Sequence, residues 1–455
     1  MVVAAIAVGA YLLVHLNDEI RDEVQRLLAE HYRHLDVRVG GARLIEGRGI
    51  EIRDLSFRAR SATPSGPPLV EIDEVFLACP VHINQLFQGL PPLTQVVFHR
   101  PHFRATRLED GSWDLGSLLP LPQAGKQPVE VVVKQGTVEL AAGPANAPST
   151  LVFREVTGAF RRTGEPLSNQ NGTRGEVAFA LTATTPLCEH VKLAGKIHPE
   201  QGRLRLRGRL DQLSLTRRDL MSLPAPFADA VEGLQHLRGS IRLETLEFHQ
   251  PSEAPPQVAV TAHLEGVDVG HERLPDPVTG LTGEVAYQDD VLHAPRLSGT
   301  FGAAGLEISF RRHGWTKAAP FAVSATLMGF DLRERHWLAL PESVRDIWQK
   351  YRAEGLIDIT RCDVTFDGRE LRPHLEVQCR DLSLLSEKFR YPLKHVRGIA
   401  TIDPAAEQGH MANVRLRLEG EATAERPLAI EGEFAVDTSL AGSRGQPTGW
   451  LRVAG

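Results

Sequence analysis

A chain of 455 residues exceeds what one hydrophobic core usually organises, and so calls for several domains or a repeating architecture. With 24% charged and 42% hydrophobic residues, its bulk belongs in water, which excludes wholesale disorder and a polytopic membrane protein. The net charge of -6 lacks the basic excess that phosphate backbones require, so nucleic acid is not an expected partner.

In chain order, the first element is the apolar run VVAAIAVGAYLLVHL, Val2 to Leu16, interrupted only by His15. As a helix it spans about 22 Å of a hydrocarbon core about 30 Å thick, a deficit that tilt or local thinning can absorb. A cleaved signal peptide needs a positive segment before the apolar run, and none precedes it here. The reading is a single-pass membrane anchor over residues 2–16, short enough to suggest that the true start lies upstream of Met1. Ile20, Val24, Leu27, Leu28 and Leu35 then recur at helical spacing, so the helix continues to residue 34 with one apolar face that seats the first sheet.

After Leu35 the period drops to 2, and strand follows strand. Val131 and Val133 continue from Val129. Leu204 and Leu206 alternate with Arg203, Arg205 and Arg207. Val258, Val260 and Ala262 form a third run, and Leu375 and Val377 a fourth. Val414, Leu416 and Leu418 alternate with Arg415, Arg417 and Glu419. Forty glycines and thirty prolines, with turn signals such as Asp110-Gly111, Gln201-Gly202 and Asp367-Gly368, favour antiparallel hairpins over parallel crossovers.

A repeat runs through these strands. Leu223-Pro224 and Leu340-Pro341 each open a short helix, then a glycine, then a strand, at an offset of 117 (340 minus 223). The stretches around Gly283 and Gly398 answer each other at an offset of 115 (398 minus 283). A partial earlier copy surrounds Gly158. The organisation read from this is an anchor and continuing helix over 1–34, a β module over 35–121, and three β repeats over 128–215, 216–335 and 336–455, the last truncated.

Each strand has one apolar face, and two short helices, near Phe227 to Leu234 and Glu342 to Ala353, are too few to cover them. Two solutions stay open on the residues alone: a second sheet in a sandwich or barrel, or an open trough whose lining solvates acyl chains. Eleven residues are candidates for that lining: Val131, Val133, Leu204, Leu206, Val258, Val260, Leu375, Val377, Val414, Leu416 and Leu418. About twenty strands at about 4.8 Å each would make a groove on the order of 100 Å long.

The segment from GIEIRDLSFRAR through DGSWDLGSLL resembles the N-terminal module of AsmA-like proteins, the AsmA, TamB and YhdP group. The matching positions are Ile72 and Asp73, Leu86 and Gly89, Pro101 and Phe103, and Asp110, Gly111, Trp113 and Leu115. The match covers about 70 residues, and the proline-started helix repeats are similar to later parts of the same group. The resemblance implies a mainly β fold: an N-terminal transmembrane helix, then a long, curved antiparallel sheet forming a taco-like groove, with short helices between repeats. It further implies an inner-membrane protein with its bulk in the periplasm of a Gram-negative-type bacterium. Its ligand would be phospholipid or another acyl lipid carried towards the outer membrane, with an outer-membrane or envelope protein partner left open. The family brings no catalytic residues.

A search of the residues for chemistry agrees. His31/His34 and Glu189/His190 lack a third ligand at suitable spacing, so no metal and no cofactor is expected. Asp289-Asp290 and Asp363 with Asp367 read as turn aspartates bonding their own backbone. Trp113 reads as a packing plug closing the first module. Cys362 and Cys379 flank Asp367 to Pro373 almost symmetrically, so a disulfide and two buried thiols both stay open. The expected function is lipid binding and transport without catalysis. The rivals are a structural or assembly factor of the same fold, and an enzyme whose site emerges only in three dimensions.

Overall fold

The structure, a computed structural model, describes residues 2–60, 67–79, 93–108, 113–118, 129–142, 149–163, 176–198, 201–216, 233–249, 257–272, 274–316, 318–338, 352–385, 392–404, 411–421, 427–437 and 448–454, with residues 2–15, 411, 427, 434, 436, 437, 448, 451 and 453 as backbone alone. The fold is mainly β. The strands number twenty-one among the described residues, and the chain divides into two units.

The first unit comprises Met1–Asp211, Met221–Ala228 and Thr245–Gln257. It opens with helix α1 (Val2–His31). Arg26 holds α1 along its exposed side by pairing with Glu23 at 2.6 Å and Glu30 at 2.8 Å, three and four residues away. The anchor read over residues 2–16 lies, but for Leu16, outside the described side chains; among the described residues no helix is long and apolar enough to cross a membrane. Then follow β1 (Leu35–Ile45), β2 (Gly49–Ala59), β3 (Val70–Ala78), β4 (Gln95–Thr106), β5 (Glu130–Ala142), β6 (Ser149–Thr163), β7 (Glu176–Thr185), β8 (Cys188–His198) and β9 (Arg203–Leu215), whose last residues join the second unit. Each pairs with the next, and all these pairings are antiparallel save β4 with β5, which run parallel. That pair corrects the expectation of hairpins throughout. The connection holds a 3-10 turn (Asp114–Leu118), and the alternation of apolar residues is the same for either strand direction.

The second unit comprises Gln212–Leu220, Asp229–Glu244 and Val258–Gly455. It holds most of β10 (Leu234–His249), then β11 (Gln257–His271), β12 (Val278–Gln288), β13 (Val291–Phe301), β14 (Ala304–His313), β15 (Phe321–Leu332), a one-turn helix α2 (Glu334–Leu338), β16 (Glu354–Phe366), β17 (Leu371–Leu384), β18 (Leu393–Pro404), β19 (Met411–Glu421), β20 (Pro427–Asp437) and β21 (Thr448–Ala454). From β11 to β21 every strand pairs antiparallel with its successor. The two proline-started helices fall almost wholly outside the described residues; Leu234, assigned to the first of them, instead begins β10.

A bulge recurs every six strands. In β6, β12 and β18 a residue of positive φ (Glu155 at 52°, Gly280 at 65°, His395 at 51°) stands three before Gly158, Gly283 and Gly398, and the pairing register slips across it. At each of these glycines the next strand comes so close that a Cβ would lie 2.2 Å from the Ala180 carbonyl oxygen, 2.3 Å from that of Arg296 and 2.1 Å from that of Arg417. The preceding strands β5, β11 and β17 slip at the facing positions, between Val133 and Gly136, Leu264 and Val267, and Cys379 and Leu382. Paired bulges bend strands and increase local twist. In the second unit they also mark where the core is deepest: Val267, Leu281, Leu297, Leu327, Ile357, Leu382 and Val396 are all buried.

Candidate functional site

Residues directly opposite one another across antiparallel strands share a face, so the registers define continuous rows. In the first unit, Val96, Val131, Phe160, Phe179, Gly195 and Leu206 succeed one another from β4 to β9, with Phe160 stacked on Phe179 at 5.8 Å between ring centroids. In the second, Leu306, Leu327, Ile359, Val377, Ala400 and Leu416 do so from β14 to β19. At about 4.8 Å per strand, the five steps from β14 to β19 amount to about 24 Å of apolar row.

The opposite face is mixed, with Val132, Ala159, Ala180 and Ala194 in register in the first unit and exposed Met328 and Ile399 in the second, and it carries cross-strand ion pairs. Arg161 meets Glu130 at 2.7 Å and Lys196 meets Glu176 at 2.6 Å in the first unit; Arg296 meets Glu307 at 2.5 Å and Arg415 meets Glu433 at 3.2 Å in the second. Exposed pairs of this kind contribute at most about 1 kcal/mol each, so they solvate that face more than they stabilise the sheet.

All eleven lining candidates lie on strands as expected. Val133 and Leu418 are buried; Val131, Leu204, Leu206, Val258, Val260, Leu375, Val377, Val414 and Leu416 are half-buried, shielded by their neighbours along the sheet but not sealed. The cover at β1 to β4 is helical. Ile20, Val24 and Leu28 of α1, with Leu115 and Leu118 beyond β4, pack against Leu35, Val37, Ile52, Phe57, Ile72 and Val75. Leu27, expected on that helix face, is exposed. Within each unit the described strands make their substantial contacts with sheet neighbours, except that β17 and β19 approach across β18, and no second sheet packs on the apolar face among the described residues.

Trp113 does not plug the module. It is 41% exposed and bridges to Arg107. Asp114 accepts the Thr106 amide at 2.7 Å, which turns Leu115 and Leu118 inward in its place. Of the other family-like positions, Ile72, Pro101 and Phe103 form one cross-strand patch of β3 and β4; Leu86, Gly89, Asp110 and Gly111 lie outside the described residues. Cys362 and Cys379 are free and out of step: Cys362 faces Leu375, whereas Cys379 faces Ile357. Phe366 faces Leu371, so the hairpin turns at Asp367–Glu370, short of the midpoint of the two cysteines. Burial pushes the Cys379 thiol up to about 11.

Titratable groups elsewhere serve local structure. His34 contacts the Ser117 carbonyl at 2.7 Å, Asp367 accepts the amides of Arg369 and Glu370 at 2.9 Å each, and buried Asp358 accepts the Gly329 amide at 2.7 Å and binds Arg380. His336, buried, contacts Asp276 at 2.7 Å and accepts the Arg333 amide at 2.9 Å, which ties α2 to the β11–β12 connection. No group of histidines, cysteines and carboxylates suited to a metal ion occurs among the described residues.

Sequence reasoning missed Arg312. The alternation Leu306, Ile308, Phe310, Arg312 places a guanidinium on the apolar face, a signal available from the run itself. Its cross-strand neighbours there are Leu292 and Phe321.

No family model, curated protein or solved structure matches the chain. The resemblance to the AsmA-like group therefore stands on the quoted motifs alone.

Proposed function

We propose that this chain is an anchored envelope protein that binds the acyl chains of lipids along its apolar sheet face and supports their movement between inner and outer membranes. In this reading the sheet forms a taco-like groove, residues 2–16 hold it in the inner membrane, and the bulk lies in the periplasm. The observation that carries the proposal is that the apolar row of each unit is left half-buried along most of its length, with Leu327 the sealed member in the second. An aliphatic face left wet costs roughly 25 cal/mol for every Å², and lipid tails remove that cost without demanding polar partners. The resemblance of the first module to AsmA-like proteins supplies the membrane setting.

The test is lipid analysis by mass spectrometry of the full chain purified from cells, beside a variant carrying Val131→Glu, Leu206→Glu, Val260→Glu, Val377→Glu and Leu416→Glu. The wild type retains phospholipid, and the variant loses it while keeping its β circular dichroism. Equal lipid content in both, or a lipid-free wild type, would refute the proposal, the latter favouring an assembly factor of the same fold.

A further inference from the structure

One row of the second unit runs Val260, Tyr287, Leu292, Arg312, Phe321 and Phe366 from β11 to β16. Five of its members are apolar or aromatic and one is a cation. Arg312 is half-buried; its Nη2 donates to the Thr316 carbonyl at 3.0 Å, and its Nε is sealed from solvent with no acceptor. No carboxylate pairs with it among the described residues, and its neighbour Arg311, on the other face, is exposed. A half-buried guanidinium on an apolar face, with no anion beside it, gains from an acceptor that reaches its remaining donors.

The surroundings say what kind of acceptor. Beside Arg312 in the chain, Trp315 donates through Nε1 to the Tyr287 hydroxyl at 3.3 Å, with ring centroids 5.5 Å apart, and Trp315 remains 38% exposed. Aromatic rings with polar tips at the limit of an apolar surface are characteristic of the level where lipid headgroups meet hydrocarbon. Arg312 is the penultimate residue of β14, at the sheet's rim. From it, Phe310, Ile308 and Leu306 lead inward on the same face over six residues, about 20 Å at 3.4 Å per residue. That is enough for the roughly 15 Å of hydrocarbon contributed by one leaflet.

We infer that Arg312, in one row with Tyr287, whose hydroxyl donates to Asp290 at 3.1 Å, and three residues before Trp315, is a subsite for the phosphate of a phospholipid whose tail lies along β14. A guanidinium matches a phosphate diester geometrically, and the donors of Arg312 that remain for one are those of Nη1, since Nη2 is bonded to the Thr316 carbonyl and Nε is sealed. The inference rests on the acyl-lipid reading above and adds to it a preferred headgroup chemistry and a place for it.

The experiment uses the full chain and two lipids with identical tails, phosphatidylglycerol and diacylglycerol, in a competition readout by native mass spectrometry. The wild type should prefer phosphatidylglycerol by on the order of tenfold, the worth of one charge-assisted hydrogen bond. Arg312→Gln should erase that preference while still retaining diacylglycerol, and Arg311→Gln, which removes the same charge from the opposite face, should leave it intact. Equal retention of both lipids by the wild type, or equal loss in the two variants, overturns the subsite while leaving acyl binding standing. Displacement of phosphatidylglycerol by excess inorganic phosphate would reassign the site to free anions and overturn it too. A wild type that retains neither lipid ends both readings.

Discussion

Gly398→Ala tests the recurrent bulge at its tightest point. Gly398 has φ of +136°, and a Cβ there would sit 2.1 Å from the Arg417 carbonyl oxygen and 2.9 Å from the Leu418 Cα. Both obstacles are backbone, so no side chain can rotate aside; a normal carbon to carbonyl contact is about 3.3 Å, and β18 and β19 must separate by roughly 1 Å to restore it. Holding an L-residue in that conformation costs about 1–3 kcal/mol, and loosening one or two ladder hydrogen bonds adds about 1 kcal/mol each. The expected loss is about 2–5 kcal/mol, local to β18 and β19. Gly305→Ala is the reference, since nothing lies within 4 Å of its Cβ position and alanine there should be neutral or stabilising by up to about 1 kcal/mol. Hydrogen exchange read by mass spectrometry on peptides of 393–404 and 411–421 should show faster exchange for Gly398→Ala only. Protection equal to wild type in those peptides would mean that the close approach does not need glycine and that the bulge has another origin.

Three further outcomes follow from the geometry. Glu51, buried, is pulled two ways: desolvation raises its carboxyl, while Arg43 and Arg53, each at 2.6 Å, outweigh that and hold it below the ordinary carboxylate value. A lowered folded-state value stabilises above the unfolded value and is lost as pH falls through the folded one; Glu51→Gln should therefore destabilise at neutral pH by about 1–3 kcal/mol, with the difference closing in acid titrations of urea stability. With its thiol pushed up to about 11, Cys379 should resist maleimide at pH 8 in the folded chain and react promptly in urea; labelling of the native protein at this position would contradict its burial. Val24→Asp should place a carboxylate against the cluster under α1 at a cost of about 2–4 kcal/mol, read as new protease cleavage between residues 16 and 34 while the distant strands stay protected.

The strands were legible because their period is short and insensitive to partner. Leu204 and Leu206 against Arg203 and Arg205 allow one apolar face however the sheet is connected. The same insensitivity hid the parallel β4–β5 pair, since Val96 and Val131 alternate alike in either direction. Gly283 and Gly398 stood out as an echo at 115 residues, yet the reason, a neighbouring carbonyl against each α-carbon, is not written in local propensity. Bulges were invisible, and the turn at Asp367–Glu370, which keeps Cys362 from Cys379, lies earlier than the Asp367 to Pro373 stretch suggested. Trp113 misled because size suggests burial, whereas the Asp114 cap hands that role to Leu115 and Leu118. Arg312 was readable from its place in an alternating run and was passed over because FRRH looks like any charged strand end.

The nearest-neighbour pairing of these strands has a consequence for how such a molecule can change in evolution. Stability in an array of this kind is close to a sum of terms between adjacent pieces, so inserting or removing one bulge-to-bulge block disturbs only the two seams where it joins. Six strands at about 4.8 Å each lengthen the array by about 29 Å. Length becomes a quantity that duplication can adjust in steps, leaving the cross-section and its chemistry as they were.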